Sequence, residues 1–344
     1  MTTEDAPGAA PDRRPTLAMV AETAGVSAPT VSKVLNGRAD VAPETRARVE
    51  QAVRELRYVP GARRAHPEER IVEIVFDDLL NSYASEIIDG AVTAGVAKGI
   101  TVVPRRVGDD VRGDWARRVR GAGREGVIVV TSVLTHEQIA QFTRAGLSLV
   151  VIDAINPPRA EMASIGSTNF LGAVDATDHL LGLGHRRIAH LGGASSLMCS
   201  LARAHGFRAA MERAGVPVVE DLVVFRPFTF EAGVETALPW LRGAQRPTAV
   251  FAASDGLALG VLEAARQCGL RVPEDLSVVG FDDTYAAAMS APPLTTVHQP
   301  LREMGARAVD TLLGIAAGDP LATYHIELAT RLTVRSSTAP APTA

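Results

Sequence analysis

"TLAMVAETAGVSAPTVSKVLNG", Thr16–Gly37, sets two short helical patterns around one glycine. Thr16 offers a hydroxyl to the free backbone N–H groups of a first helical turn. Leu17, Val20, Ala21 and Ala24 then recur at helical spacing. Gly25 supplies the left-handed residue that commonly closes a helix, and Val26 follows as a buried pivot. Ser27 is a second N-cap, with Pro29 in the first turn, where its missing N–H costs little. Val31, Val34 and Leu35 form the apolar stripe of the second helix, while Ser27, Ala28, Pro29, Thr30, Ser32, Lys33 and Asn36 stay on the other face. Two helices joined by a Gly-containing turn are either a DNA-reading helix-turn-helix or an ordinary corner of a small helical domain. The pattern alone leaves both open.

Before this stretch, residues 1–14 are polar, acidic at first and Pro-rich, and read as a disordered tail. After it, a third helix begins near Pro43 and carries Val49, Ala52, Val53 and Leu56, so that 15–60 form one small head. "GARRAHPEER", 61–70, reads as a hinge or linker. From Ile71 the pattern changes. "IVEIVF", "ITVVP", "GVIVV", "LSLVVID", "RIAHLGG", "LVVF", "TAVFAAS", "LSVVGFDD" and "LTTVHQP" are apolar runs separated by helical stretches, and "TYHIELATRLTVR" reads as a closing strand. Such alternation implies an α/β body of doubly wound parallel sheets with helices on both faces. About ten strands are many for one sheet, so two similar lobes are expected within 71–336: roughly 71–165 with 300–326, and 166–297 with 327–336. Residues 337–344 read as a second tail.

The 344 residues carry a net charge of −4, unevenly placed: ten Lys/Arg face five Asp/Glu between Arg13 and Arg64. A basic head on an acidic body suits a DNA-contacting sensor. The two cysteines, Cys199 and Cys268, have neither metal-ligand nor disulfide-framework spacing. No signal peptide or membrane-length apolar run is present, so a cytoplasmic protein without membrane contact is expected. There is no P-loop, H-E-x-x-H or G-x-S-x-G. "GLGHRR", 182–187, lacks the G-x-G-x-x-G spacing and precedes a strand rather than following one. His185, His190 and His205 are scattered and read as structural. No catalytic residue, metal or cofactor is expected, and the chain does not read as an enzyme.

Polar residues gather instead at strand ends, where doubly wound folds bind ligands. Asp153 closes "LVVID", Asp255 follows "AVFAAS", Asp282 and Asp283 close "SVVGF", and Asn81, Ser82 and Tyr83 follow "IVFDDLL". Arg203 follows "HLGGASS". Carboxylates accept from vicinal hydroxyls and a guanidinium donates to them, while an aromatic such as Phe228 packs on the apolar face of a ring. A single aspartate serves equally well as a helix cap; the group together points to a polyhydroxylated ligand.

The opening stretch resembles the signature of the lactose-repressor (LacI/GalR) family of bacterial transcription regulators. So do "VAPETRARVEQAVRELRYVP", "HLLGLGHRRIAHLGG", "RAHGFRAAMERAG", "PTAVFAASDGLALGVLEAARQCGLRVPEDLSVVGFDDT" and "PPLTTVHQP", in order, from about Thr16 to Thr338. The resemblance implies a repressor: a head that binds double-stranded, pseudo-palindromic operator DNA as a homodimer. It also implies a body like a periplasmic sugar-binding protein, with a small effector, a sugar by preference, in the cleft between lobes. It places Ala28, Pro29, Thr30, Ser32 and Lys33 on the recognition helix after Ser27. Thr16, Leu17, Asn36, Thr45 and Tyr58 would position or brace the head. Arg203, Asp282 and Phe228 match the family's effector-binding arginine, aspartate and stacking aromatic, with Gln299 near the pocket and Asp153 at a pocket position. The competing readings, a sugar-binding transport component and a nicotinamide-dependent enzyme, lack a signal peptide and a glycine loop respectively.

Two departures stand out. Ser254 replaces the family's usual asparagine, a shorter side chain with one hydroxyl. The hinge places Gly61 after Pro60, is about three residues short, and has Pro67 where a leucine usually wedges into the minor groove. Arg63 and Arg64 would follow the minor groove or phosphates instead. Less central DNA bending than in a leucine-wedged relative is expected. With Ala28 and Pro29 offering only apolar contact, Lys33 would carry much of the readout.

Overall fold

The computed structural model describes residues 16–35, 41–56, 70–108, 114–131, 134–154 and 162–342. The chain divides into two units, Met1–Ala65 and His66–Ala344.

In the first unit, α1 (Leu17–Ala24), α2 (Ala28–Leu35) and α3 (Pro43–Glu55) form the three expected helices. Thr16 Oγ1 accepts from Met19 N at 3.2 Å. Gly25 closes α1 at φ 63°, returning its N–H to the last turn. A cap at each end is what lets an eight-residue helix stop sharply. Val20, Val31 and Val49, one from each helix, are completely buried against one another in a small core.

The second unit holds two six-stranded sheets. The first lobe orders its strands β11-β5-β4-β3-β1-β2, where β1 is Arg70–Phe76, β2 Ile100–Arg106, β3 Arg124–Val130, β4 Ser148–Ile152, β5 Ala163–Ser167 and β11 His325–Leu328. The second orders them β12-β10-β9-β8-β6-β7, with β6 Ile188–Gly192, β7 Val223–Phe225, β8 Ala249–Ala252, β9 Ser277–Asp282, β10 Thr295–His298 and β12 Arg331–Thr333. Among the described residues all strand pairings are parallel except β10 with β12, where Val297 opposes Leu332. Helices cover both faces, so central strands such as β8 are buried throughout and read as unbroken apolar runs.

The chain passes between lobes three times: after β5, after β10 and after β11. This corrects the closing strand. "TYHIELATRLTVR" is two strands in different sheets, and the expected boundary at 326/327 falls inside β11. The C-terminal segment is also not a loose tail. Ser337 Oγ accepts from Thr295 N (2.8 Å) and donates to Val278 O (2.6 Å), and Ala341 N donates to Leu183 O. The buried His185 bridges Thr248, Ser277 and the carbonyl of Ala339.

Three helix pairs pack most closely: α4 (Ser82–Ala97) on α12 (Leu301–Ala317), α9 (Phe230–Arg242) on α10 (Asp255–Gln267), and α7 (Asn169–Gly182) on α8 (Met198–Arg213). Each contact has a glycine where backbones meet. A Cβ on Gly305 would stand 2.2 Å from Ile87 O, one on Gly260 2.2 Å from Phe230 O, and one on Gly206 2.4 Å from Phe170 O.

His190 lies wholly within the second lobe's core. Its ring stacks on Phe207 with centroids 5.1 Å apart, and Nδ1 is 3.1 Å from Phe251 O. That carbonyl only accepts, so Nδ1 carries the proton; among the described residues Nε2 has no partner. Burial pulls the imidazole pKa from 6.5 down to about 3. In that window the unfolded chain binds a proton that the folded chain refuses. Stability therefore falls as the pH drops from 6.5 toward 3, by about 1.4 kcal/mol per unit from this group. His190→Leu is expected to remove that contribution. Urea midpoints at pH 7, 5.5 and 4.5 should decline less steeply in the variant, and parallel declines would contradict the assignment.

Candidate functional site

The head presents the outer face of α2. Pro29 and Lys33 are exposed, while Ala28, Thr30 and Ser32 are half-buried. Ser27 Oγ, 2.9 Å from Thr30 Oγ1, also takes the backbone N–H of Thr30 at the start of α2. Leu17 and Thr45 are half-buried, Leu17 packing on the head core. Asn36, Tyr58, Arg63 and Arg64, with the whole 61–69 hinge, lie outside the described residues.

In the body, the carboxyl ends of both sheets face a cavity of about 420 Å³. The first lobe contributes Asp77, Asp78, Asn81, Ser82, Tyr83, Thr131 and Asp153; the second contributes Leu197, Arg203, Pro227, Phe228, Ser254, Asp255, Leu259, Asp282 and Ala286, among others. Of the expected effector residues, only Gln299 is absent from this lining.

Arg203 is the buried cation of the cleft. Its Nε donates to Asn169 Oδ1 (2.8 Å), and Nη1 donates to Ala253 O (2.5 Å) and lies 3.7 Å from Asp282 Oδ1. The guanidinium rests 3.7 Å from the centroid of the Phe281 ring. Among the described residues Nη2 has no hydrogen-bond partner, nor has Asp282 Oδ2. Burial pushes the Asp282 carboxyl up, opposed by Arg203 and reinforced by Asp255. Phe228 stands directly over Gly193, where a Cβ would lie 2.1 Å from the ring.

Two of the expected effector residues have their polar atoms engaged within the protein. Asp255 has both oxygens engaged within its own lobe: Oδ2 accepts from Thr284 N and Oγ1 (2.7 and 2.9 Å), and Oδ1 from Thr296 Oγ1 (2.6 Å). It ties the turn after β9 and strand β10 to the start of α10, a structural role other than capping the helix that follows, which Ser254 does, while it stays on the cavity wall. Gln299 lies behind the lining, next to the cavity residue Asp282: it accepts from Ser167 Oγ (2.5 Å) and donates to Asp282 Oδ1 (2.6 Å), linking two of the interlobe crossings. Ser254 caps α10 through Leu257 N, and Asn81 caps α4 through Ala84 N, while both remain on the cavity wall. Asp283 turns away to Arg335 (2.6 Å) and His298 (3.0 Å).

Sequence reasoning missed Thr131, Leu197, Pro227, Leu259 and Ala286. Thr131 follows "GVIVV" and obeys the same strand-end rule that found Asp153; the apolar wall residues carry no polar signal to mark them. Among the described residues, no group of three His, Cys, Asp or Glu side chains is placed to hold a metal, and no helix is long and apolar enough to cross a membrane.

Residues 16–61 match the model for bacterial regulatory proteins of the lacI family, and residues 177–338 match a periplasmic binding protein-like domain. The chain is 34% identical over 328 residues to the HTH-type transcriptional regulator DegA of Bacillus subtilis, covering 93% of this chain and 97% of that protein. It is 32% identical to the HTH-type transcriptional regulator CelR of Thermobifida fusca, covering 94% and 98%. Among solved structures, it resembles a CelR–cellobiose complex (TM-score 0.71, 33% identity, 94% and 100% covered). It also resembles the lac repressor dimer bound to operator and the anti-inducer ONPF (TM-score 0.70, 28% identity, 95% and 100% covered). With a capped helix-turn-helix at one end and a two-lobed ligand cleft at the other, the chain belongs to the LacI family and is a sequence-specific DNA-binding transcriptional regulator.

Proposed function

We propose that this regulator is a repressor of carbohydrate-metabolism genes, acting as a homodimer on a pseudo-palindromic operator and switched by a sugar in the cleft. The observation that carries the ligand class is the Arg203–Asp282 pair. The two side chains lie 3.7 Å apart, Nη1 to Oδ1, both residues line a cavity with an aromatic wall at Phe228, and among the described residues Arg203 Nη2 and Asp282 Oδ2 have no hydrogen-bond partner. A vicinal diol satisfies both, accepting from Nη2 and donating to Oδ2. The complex of CelR with cellobiose and that of an Enterococcus faecium LacI-family regulator with ribose support a sugar. In this reading the head spans 15–60, the hinge 61–70 and the effector-binding body 71–336. The sugar acts by preferring one arrangement of the lobes, and operator affinity follows that preference.

Footprinting on the protein's own promoter fragment, with and without a panel of sugars, tests this. A protected pseudo-palindrome that one sugar erases or deepens is the expected result; a footprint unmoved by any sugar rejects the sugar switch. Lys33→Ala is expected to weaken operator binding at least about tenfold and to reduce the salt slope by about one. Unchanged affinity and base preference would remove Lys33 from the readout.

A further inference from the structure

Four non-glycine residues have positive φ among those described: Thr131 (47°), Asp153 (47°), Asp282 (121°) and Asp283 (60°). All four stand at carboxyl ends of strands, and three of them line the cavity. Aspartate visits the left-handed region comparatively often. A β-branched residue there is a true outlier, because its side chain crowds the backbone. Thr131 therefore holds a conformation that glycine or asparagine would adopt more easily. Strain of this kind collects at ligand sites and is held by surrounding contacts.

The contacts around Thr131 show what it does. Its backbone N–H donates to Ile152 O at 3.0 Å, tying the end of β3 to β4. Its hydroxyl lies 3.4 Å from the Tyr83 hydroxyl and donates to it. Tyr83 in turn donates to Asp153 Oδ2 at 2.5 Å. A phenol has one proton to give, and here it goes to one oxygen of Asp153. The other oxygen, Oδ1, has no hydrogen-bond partner among the described residues.

We propose that Thr131 is a positioning residue for the effector: its left-handed backbone aims a hydroxyl at Tyr83, which locks Asp153 so that Oδ1 is presented to a ligand hydroxyl. This rests on the reading that a polyhydroxylated ligand occupies the cleft. The first lobe then offers one fixed acceptor, complementing the donor and acceptor that Arg203 and Asp282 offer from the second. Backbone ease is given up at Thr131 in exchange for a fixed Asp153.

The test compares full-length wild type, Thr131→Gly and Thr131→Ser by thermal unfolding, alone and with glucose, cellobiose, maltose and ribose. Thr131→Gly is expected to raise the ligand-free midpoint by about 2 °C through relief of the backbone. The same variant should bind the responding sugar about tenfold more weakly. Thr131→Ser keeps the hydroxyl without the branch and should retain wild-type affinity. A threonine that only supported the fold would give a lower midpoint in Thr131→Gly, which overturns the proposal. Undiminished sugar affinity in Thr131→Gly, or a Thr131→Ser variant as weak as Thr131→Gly, also overturns it. If no sugar shifts the wild type, the sugar reading fails separately, and the ligand-free midpoint of Thr131→Gly alone decides whether Thr131 is strained for a site or built into the fold.

Discussion

Arg203→Ala leaves the operator footprint in place and abolishes its response to effector. The guanidinium is the buried cation facing Asp282 and Asp153 in the cleft. Removing it takes away the diol donor and strands Asp282, whose carboxyl burial already pushes up. Losing the buried pairing destabilises the body, although Asp282, which burial already pushes toward its protonated form, takes up a proton once Arg203 is gone. The body should therefore also melt earlier, with the effector shift gone. Arg203→Lys separates the two effects. It keeps the charge and most of the fold, but loses the fork that reaches Asn169 and Ala253 together. Sugar affinity should drop more than tenfold in a protein that still unfolds cooperatively. Retained wild-type affinity in Arg203→Lys would mean that the ligand is read elsewhere.

Gly305→Ala should be among the most damaging single-methyl changes in the body, with Gly90→Ala on the facing helix, whose Cβ would lie 1.9 Å from Arg302 O. A Cβ on Gly305 would lie 2.2 Å from Ile87 O and 2.9 Å from Ala91 N, both backbone atoms of α4 that no rotamer change can move. The helices must separate, opening the core that Met304, Ala308 and Leu312 fill on the same side of α12. A loss of about 3 kcal/mol is expected. Gly314→Ala in the same helix is the control. Its Cβ would meet only Asp319 Oδ2, at 3.9 Å, so the better helix propensity of alanine should stabilise by up to about 1 kcal/mol. Urea melts of the two variants should move in opposite directions; two shifts of the same sign would contradict the close-packing account.

The head was legible because its signals are local: Thr16 caps three residues on, and Gly25 turns the chain where the apolar spacing ends. The alternation of the body was equally plain. The split between β11 and β12 was not, because Ala329 and Thr330 carry no breaker, and membership in different sheets is decided by tertiary pairing alone. Ser337 was read as tail for a related reason. Its Ser/Pro/Thr surroundings look like linker, yet its hydroxyl takes the place of a backbone partner between β9 and β10. In the cleft, Arg203 and Asp282 were visible from strand-end position. The same position could not distinguish Asp282, which keeps an oxygen free, from Asp255, which spends both on neighbouring threonines. That difference depends on Thr284 and Thr296, which no local pattern marks.

The threefold crossing between lobes has a consequence for how the protein comes off the ribosome. The first lobe begins at β1, yet its core needs Leu301–Leu312, and its sheet is completed by β11 at 325–328. The second lobe is likewise unfinished until β12 and Ser337 have emerged. The head, finished within its first residues, has no such dependence. A nascent or prematurely terminated chain thus carries a complete DNA-reading module beside two incomplete sheets with unpaired edges. Early stop codons in this gene would produce fragments that retain the means to read DNA but have lost every means of sensing.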